Sequence, residues 1–457
     1  VHGKPLPYGI HERREPRHGA DVVLTLHPQF QYFVEQRLEE AVHETGAKSA
    51  AAVLIDVNSG EVYAMANSPT FDLNRPFDLD DAVLPDNWDQ LSDQEQTDYY
   101  FTRVWNNPIV SNIYEPGSTM KTLISAIAVN EGLVNLNSSF YCEGSTRVTG
   151  EQLRCFSYPV GHGHQDLTTA FVNSCNVAYI DIGQRIGKER LYQYFDRVGL
   201  FSQSGVDLPA ESMPNYLDVG GLRDVELATM SYGHTIGVNM LQVVSALSST
   251  VNGGYRVHPH FLKEIRYPDG RSEYPPLPNR ERVFERETVE TVKSMLRAMA
   301  NHLNPTLEVE GVALGGKTGT SVKFVDGEYR DDQVISSFVV FAPIDQPKYA
   351  LLILLDEPDI RTHGHRVAVQ FADRILEDLF RYEALSAAST DRETVIVPNV
   401  VGMTLAEARE TMKASGLRLS ADMEQQLDTR VVEEQFPIAG VPVPEGALII
   451  LKLKEGL

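Results

Sequence analysis

Cysteine is scarce in this 457-residue sequence: Cys142, Cys155 and Cys175 are all it has. Three are too few for a disulfide-rich scaffold, no CxxC or HxxxH spacing suggests a metal site, and nothing implies a cofactor. The count permits one bridge and one leftover thiol. Long apolar runs are missing too. No stretch approaches the roughly 20 uninterrupted apolar residues of a membrane span, and no signal peptide opens the chain. A start at Val1 instead of Met suggests a processed or truncated chain, so the missing anchor says nothing about the natural protein. Basic residues are in deficit, 40 against 63 acidic, for a formal charge of −23. Like charges repel, which argues against a nucleic-acid partner, and solubility accounts for the excess acid.

What is present is a 42% apolar fraction without low-complexity tracts, enough for a large core and more than one domain. Residues 28–46 carry apolar side chains at Phe30, Val34, Leu38 and Ala41, a helical period opened by Pro28 and closed by Gly46. Two apolar runs around Asn58-Ser59-Gly60 predict a β-hairpin. Residues 72–112 read as loops with short helical pieces. Helices follow at 116–133, 167–187, 188–199, 240–254 and 286–302. Three β-like runs then lie at 315–324, 334–343 and 348–356, before a last helix at about 366–382. Strands flanking a helical block predict an α+β fold, an antiparallel sheet flanked by helices with a mostly helical subdomain. The small polar residues of 383–394 read as a linker, and 395–457 as a separate small α+β module whose helix starts near Thr404.

Within the helical block, "EPGSTMK" sets Pro116 and Gly117 before Ser118 and Lys121. At i and i+3 on a helix the last two share a face, and the Pro-Gly turn puts the hydroxyl at the positive helix N-terminus. A serine hydroxyl becomes a nucleophile when a base takes its proton, and lysine serves if burial keeps it uncharged. The following "TLISAIAV" offers apolar surroundings. Alone, Ser-x-x-Lys is weak, and so is each of two further elements, Ser174-Cys175-Asn176 and Lys317-Thr318-Gly319-Thr320. Together and in this order they form the signature shared by penicillin-binding proteins and class A β-lactamases.

Each element has a physical task. Lys317 supplies positive charge for a substrate carboxylate, Ser174 passes a proton, and Asn176 orients the substrate amide and Lys121. The strand through Thr318 and Gly319 offers its edge to an extended peptide, with Gly319 keeping that edge clear. The backbone N–H groups of Thr320 and Ser118 would form an oxyanion hole.

The sequence resembles the class B penicillin-binding proteins. The likeness runs through "DVVLTLHPQFQ", "AAVLIDVNSGEVYAMANSPTFDLNRP", "YEPGSTMKT", "NSCNVAYI", "YGHTIGVNMLQVVSALSSTVNGG", "GGKTGTS" and "SFVVFAP", covering about residues 21–382 as a transpeptidase domain. "VPNVVGMTLAEARETMKASGL" with "QFPIAGVPVPEGALIILKL" resembles one PASTA module, and residues 1–20 are at best a remnant of the family's non-catalytic region. The resemblance implies peptidoglycan D,D-transpeptidation of stem peptides through an acyl-enzyme on Ser118, with β-lactams acylating the same serine. It implies work outside the cytoplasmic membrane, a single N-terminal anchor absent from this chain, and a SEDS-type membrane glycosyltransferase as partner. Three readings share the acylation step: a serine β-lactamase, a D,D-carboxypeptidase and a non-catalytic β-lactam or muropeptide sensor. For the module, recognition of cell-wall fragments stands beside a spacer role.

Cys175 departs from the usual middle residue of the second motif and reads as a small buried apolar side chain. An extracytoplasmic setting would allow a Cys142–Cys155 bridge, which stays open here. His162, His164, His363 and His365 read as loop histidines, because i, i+2 spacing fits no usual helical metal site.

Overall fold

The computed structural model describes residues 18–79, 84–85, 87–276, 278–325, 328–364, 366–387, 394–419, 429–437, 439–440 and 442–454. Nearly all of the expected N-terminal remnant, half of the expected linker and His365 lie outside these residues.

The central sheet has five strands in the order Gly315–Val325, Glu328–Ala342, Tyr349–Asp356, Ser49–Asp56 and Val62–Ser68. Each neighbouring pair is antiparallel, as the flanking runs predict. Six consecutive positions of Ser49–Asp56 are buried, so both faces of the sheet are covered. The first helix, Pro28–Thr45, ends at Gly46 in the left-handed region and buries Phe30, Val34, Leu38 and Ala41. Phe30 meets Tyr349 edge to face with ring centres 5.9 Å apart, and Arg37 bonds Asp378 of the last helix at 2.8 Å.

That last helix runs from Val367 to Ala387, past the expected boundary at 382. Its extension contains Ala and Leu, among the strongest helix formers, so a small, polar composition did not break it. Glu383 is held by Lys348 at 2.8 Å, which anchors the added turn to the sheet.

The helical block contains the expected Lys188–Val198, Met240–Ser248 and Arg286–Leu303. The helix expected over 167–187 is two, Leu167–Val172 and Asn176–Ile186. Ser174 breaks it with φ +51°, a left-handed conformation rare for a serine. The segment predicted as a helix over 116–133 is one 3-10 turn, Gly117–Met120, leading into Lys121–Asn130. Several short strands went unread, among them Asp21–Leu24, Leu262–Arg266 and Ser272–Glu273, which form a three-stranded sheet. Phe140–Cys142 pairs with Gly163–Gln165, and Ser145–Val148 with Glu151–Arg154.

The C-terminal module has its own core of Val397, Val400, Leu405, Met412, Val432 and Leu451. Thr404 opens its helix with a capping box to Glu407. The module meets the main body where Phe436 stacks on Tyr32, with ring centres 5.3 Å apart.

Candidate active site

The turn before Ser118 is shaped by close approach. Gly117 has φ +58°, and a Cβ there would meet the Ser321 hydroxyl at 2.5 Å. Its N–H donates to the Gly233 carbonyl at 3.0 Å. Ser321 Oγ donates to the Glu115 carbonyl at 2.7 Å, and Thr119 Oγ1 to that of Pro116 at 2.8 Å. The turn is thus pinned both by the edge strand of the sheet and by the loop around Gly233.

From the helix that follows, wholly buried Lys121 reaches back to the second motif. Its Nζ lies within hydrogen-bond distance of four oxygens: Ser118 Oγ at 2.9 Å, the Ser174 carbonyl at 2.8 Å, Ser174 Oγ at 3.2 Å and Asn176 Oδ1 at 2.7 Å. The left-handed backbone of Ser174 is what turns both its carbonyl and its hydroxyl toward this amine. Around it, Ile124 and Ile127 are buried, and the rings of Tyr179 and Tyr232 lie 5.5 and 5.9 Å from Nζ. Burial lowers the Lys121 pKa to about 7, from an ordinary value of 10.5.

Lys317, also wholly buried, donates to Ser174 Oγ at 3.1 Å and to the Thr318 carbonyl at 3.0 Å. Ser174 Oγ therefore bridges the two amines. Burial holds the Lys317 pKa well below its usual range, and the positive charges of Lys121 and Arg366 push the same way. The fixed charge expected of Lys317 is thus opposed by its surroundings.

Thr318, Gly319 and Thr320 lie on the edge strand of the sheet, beside the turn that carries Ser118. The need for glycine at 319 is internal: a Cβ would meet Ser337 Oγ at 2.4 Å, Thr119 Cγ2 at 3.0 Å and the Pro116 carbonyl at 3.2 Å. All five expected catalytic side chains converge.

Tyr232, Gly233 and His234 also border the site, and the motifs did not mark them. A Cβ at Gly233, which has φ +90°, would sit 2.0 Å from the Gly117 carbonyl. Burial, then the Lys121 charge, lowers the His234 pKa to about 4, leaving it neutral. The signal in the sequence was only the glycine of "SYGHT". Cys142, Cys155 and Cys175 are buried free thiols, so the open question of a bridge resolves to three unpaired sulfurs. His162, read as a loop residue, turns its ring toward them, with Nδ1 3.6 Å from Cys155 Sγ. His164 stacks obliquely on Tyr141, and the His363 side chain lies outside the described residues.

An antiparallel sheet packed against a helical subdomain, with a serine between two buried lysines at their junction, defines the penicillin-interacting class of folds. Residues 50–377 match the penicillin-binding protein transpeptidase domain and residues 395–455 the PASTA domain, so the chain belongs to the penicillin-binding protein transpeptidase family. It is 30% identical over 468 residues to Stage V sporulation protein D of Bacillus subtilis, covering 99% of this chain and 68% of that protein. With Penicillin-binding protein PbpB of Mycobacterium tuberculosis it shares 30% identity over 79% of this chain and 52% of the relative. The crystal structure of penicillin-binding protein 3 of that bacterium, complexed with aztreonam, superposes with a TM-score of 0.71 at 29% identity, covering 82% of this chain and 81% of the other.

Proposed function

We propose that Ser118 is the acylated nucleophile of a peptidoglycan D,D-transpeptidase and that neutral Lys121 is its base. The observation that carries this reading is the 2.9 Å contact between Lys121 Nζ and Ser118 Oγ, made by an amine whose burial favours the uncharged form. Ser118 Oγ loses its proton to Lys121 and bonds the carbonyl carbon of the D-Ala-D-Ala peptide link. The proton travels through Ser174 Oγ to the departing D-Ala amine. An amine of a second stem peptide then attacks the ester and releases Ser118, completing the cross-link. The N–H groups of Ser118 and Thr320 would hold the oxyanion, and Thr318 and Gly319 would carry the extended donor peptide.

The donor's terminal carboxylate would supply Lys317 with a counter-charge, so substrate binding would raise the pKa of that amine and complete the site. A carboxypeptidase would let water replace the acceptor amine, and a β-lactamase would also have to activate water for fast release. The PASTA match and the relatives' names favour the transpeptidase. Among the described residues no helix is long and apolar enough to cross a membrane. The chain spans about half the length of several relatives. The extracytoplasmic setting, an N-terminal anchor and a SEDS-type glycosyltransferase partner belong to this proposal as features of the larger protein.

Intact-mass measurement after benzylpenicillin treatment tests the reading. The wild type should gain one long-lived penicilloyl adduct and Ser118→Ala none. An undiminished adduct on Ser118→Ala overturns the nucleophile, and rapid nitrocefin turnover moves the assignment to a β-lactamase.

A further inference from the structure

Beside the site, but outside its chemistry, four side chains converge that the acylation steps do not use. The Sγ atoms of Cys142, Cys155 and Cys175 and a ring nitrogen of His162 all lie within 4.8 Å of one another, with the three thiols buried. Each comes from a different local segment. Cys142 ends the strand Phe140–Cys142, Cys155 follows the strand Glu151–Arg154, His162 precedes Gly163–Gln165, and Cys175 caps the helix Asn176–Ile186. The backbone holds them there: the His162 N–H donates to the Cys142 carbonyl at 3.0 Å and the Cys155 N–H to the Gly144 carbonyl at 2.8 Å.

We propose that these four residues bind one zinc ion in a closed Cys3His site. Tetrahedral zinc with Zn–S near 2.3 Å and Zn–N near 2.0–2.1 Å sets ligand atoms roughly 3.8 Å apart for S···S and 3.6 Å for S···N. The Cys155 Sγ to His162 Nδ1 distance is 3.6 Å, and the 4.8 Å limit leaves about 1 Å of contraction. Three thiolates and one imidazole fill four positions with soft donors, which selects zinc over oxygen-seeking cations and leaves no open position for catalysis. Backbone N–H groups already point at two of the sulfurs, from Gly144 to Cys142 Sγ at 3.4 Å and from Ala178 to Cys175 Sγ at 3.5 Å, as outer partners of metal thiolates do. Binding releases the three thiol protons to solvent and no redox change is needed. Spacing hid the site, because the ligands belong to neither a CxxC nor an HxxxH pattern.

The consequence reaches the second catalytic element. Cys175 stands between Ser174 and Asn176, so zinc ties both partners of Lys121 to the small strands of residues 140–165. Cys142, His162 and the metal act as positioning groups, since none touches the reacting serine.

The test uses the full chain, purified under reducing conditions without chelator, and is independent of which acyl transfer the serine performs. Elemental analysis should find about one zinc per chain, and cobalt(II) supplied to the metal-free protein should give the intense thiolate charge-transfer absorption of a tetrahedral sulfur site. Cys142→Ser and His162→Ala should each cut bound zinc at least about fivefold. Stripping zinc should slow benzylpenicillin acylation by about tenfold or more, with recovery on adding zinc alone. Less than about a tenth of an equivalent of zinc together with no cobalt charge-transfer band, or a disulfide among these cysteines in the native chain, overturns the site. Acylation unchanged by zinc removal overturns its positioning role. Stoichiometry and the cobalt spectrum need no variant, so a substitution that fails to fold leaves the question decided.

Discussion

In the mechanism we propose, Lys121 is the base, and its environment makes two predictions. With a pKa lowered to about 7, the amine gains base character as pH rises through that value, so the acylation rate should climb through about pH 7 and level off above it. A flat profile between pH 6 and 8, measured with a chromogenic cephalosporin, would remove Lys121 as the base. Stability follows the same proton. Between about 7 and 10.5 the unfolded chain holds a proton that the folded chain has lost, so unfolding takes one up and stability rises with pH across that window. Below about 7 both states are protonated and the full cost of the buried ammonium remains. Lys121→Met should therefore flatten the rise in the urea midpoint between pH 7.5 and 9.5, by up to about 1.4 kcal/mol per pH unit. Asn176 accepts from the same amine at 2.7 Å, and Asn176→Ala should slow acylation by about 10- to 100-fold, the worth of one hydrogen bond to the ammonium that forms as Lys121 takes the serine proton. Ser118 and Lys121 were legible as a pair because i, i+3 spacing sets them on one face, whereas Ser174, Asn176 and Lys317 were legible only through the resemblance of the three motifs to a known signature. The pKa was not, since it follows from burial among segments that meet only on folding, with Cys155 and Cys175, distant in sequence, opposing the shift.

At the scale of elements, the turn that carries Ser118 is held by its neighbours, the edge strand at Ser321 and the loop at Gly233. Gly233→Ala would drive a methyl group to 2.0 Å from the Gly117 carbonyl at a φ of +90°. Strain and overpacking together predict a loss of about 3 kcal/mol or more in chemical denaturation, with acylation falling alongside, because the displaced atom belongs to the turn that aims Ser118. A substitution that loses less than about 1 kcal/mol would mean the loop yields easily. Helix and strand locations were readable from periodicity: Pro28–Thr45 and Arg286–Leu303 stand where the apolar stripes put them. The break at Ser174 was not readable. Nothing in "FVNSCNVAY" stops a helix, and the left-handed serine exists because its carbonyl and hydroxyl are claimed by Lys121 from another element.

For the whole molecule, the catalytic body and the C-terminal module fold around separate cores that touch at Tyr32 and Phe436. Phe436→Ala should weaken that contact by about 0.5–1.5 kcal/mol, seen as a lower melting transition of the module, while benzylpenicillin acylation stays within about twofold. A large drop in acylation would mean that the module communicates with the site. The division into two units was legible because two kinds of apolar pattern are separated by small polar residues. The last helix runs on to Ala387, past the expected 382, because alanine and leucine favour the helix. By itself, the sequence determined most of the longer helices and the central strands, whose periodicity depends on neighbours within a few residues, and the three motifs whose resemblance to a known signature implied the class of chemistry. Only the tertiary structure decided that Ser174 bridges two buried amines and that three distant cysteines meet one histidine, since burial and convergence arise between segments that the chain brings together only on folding.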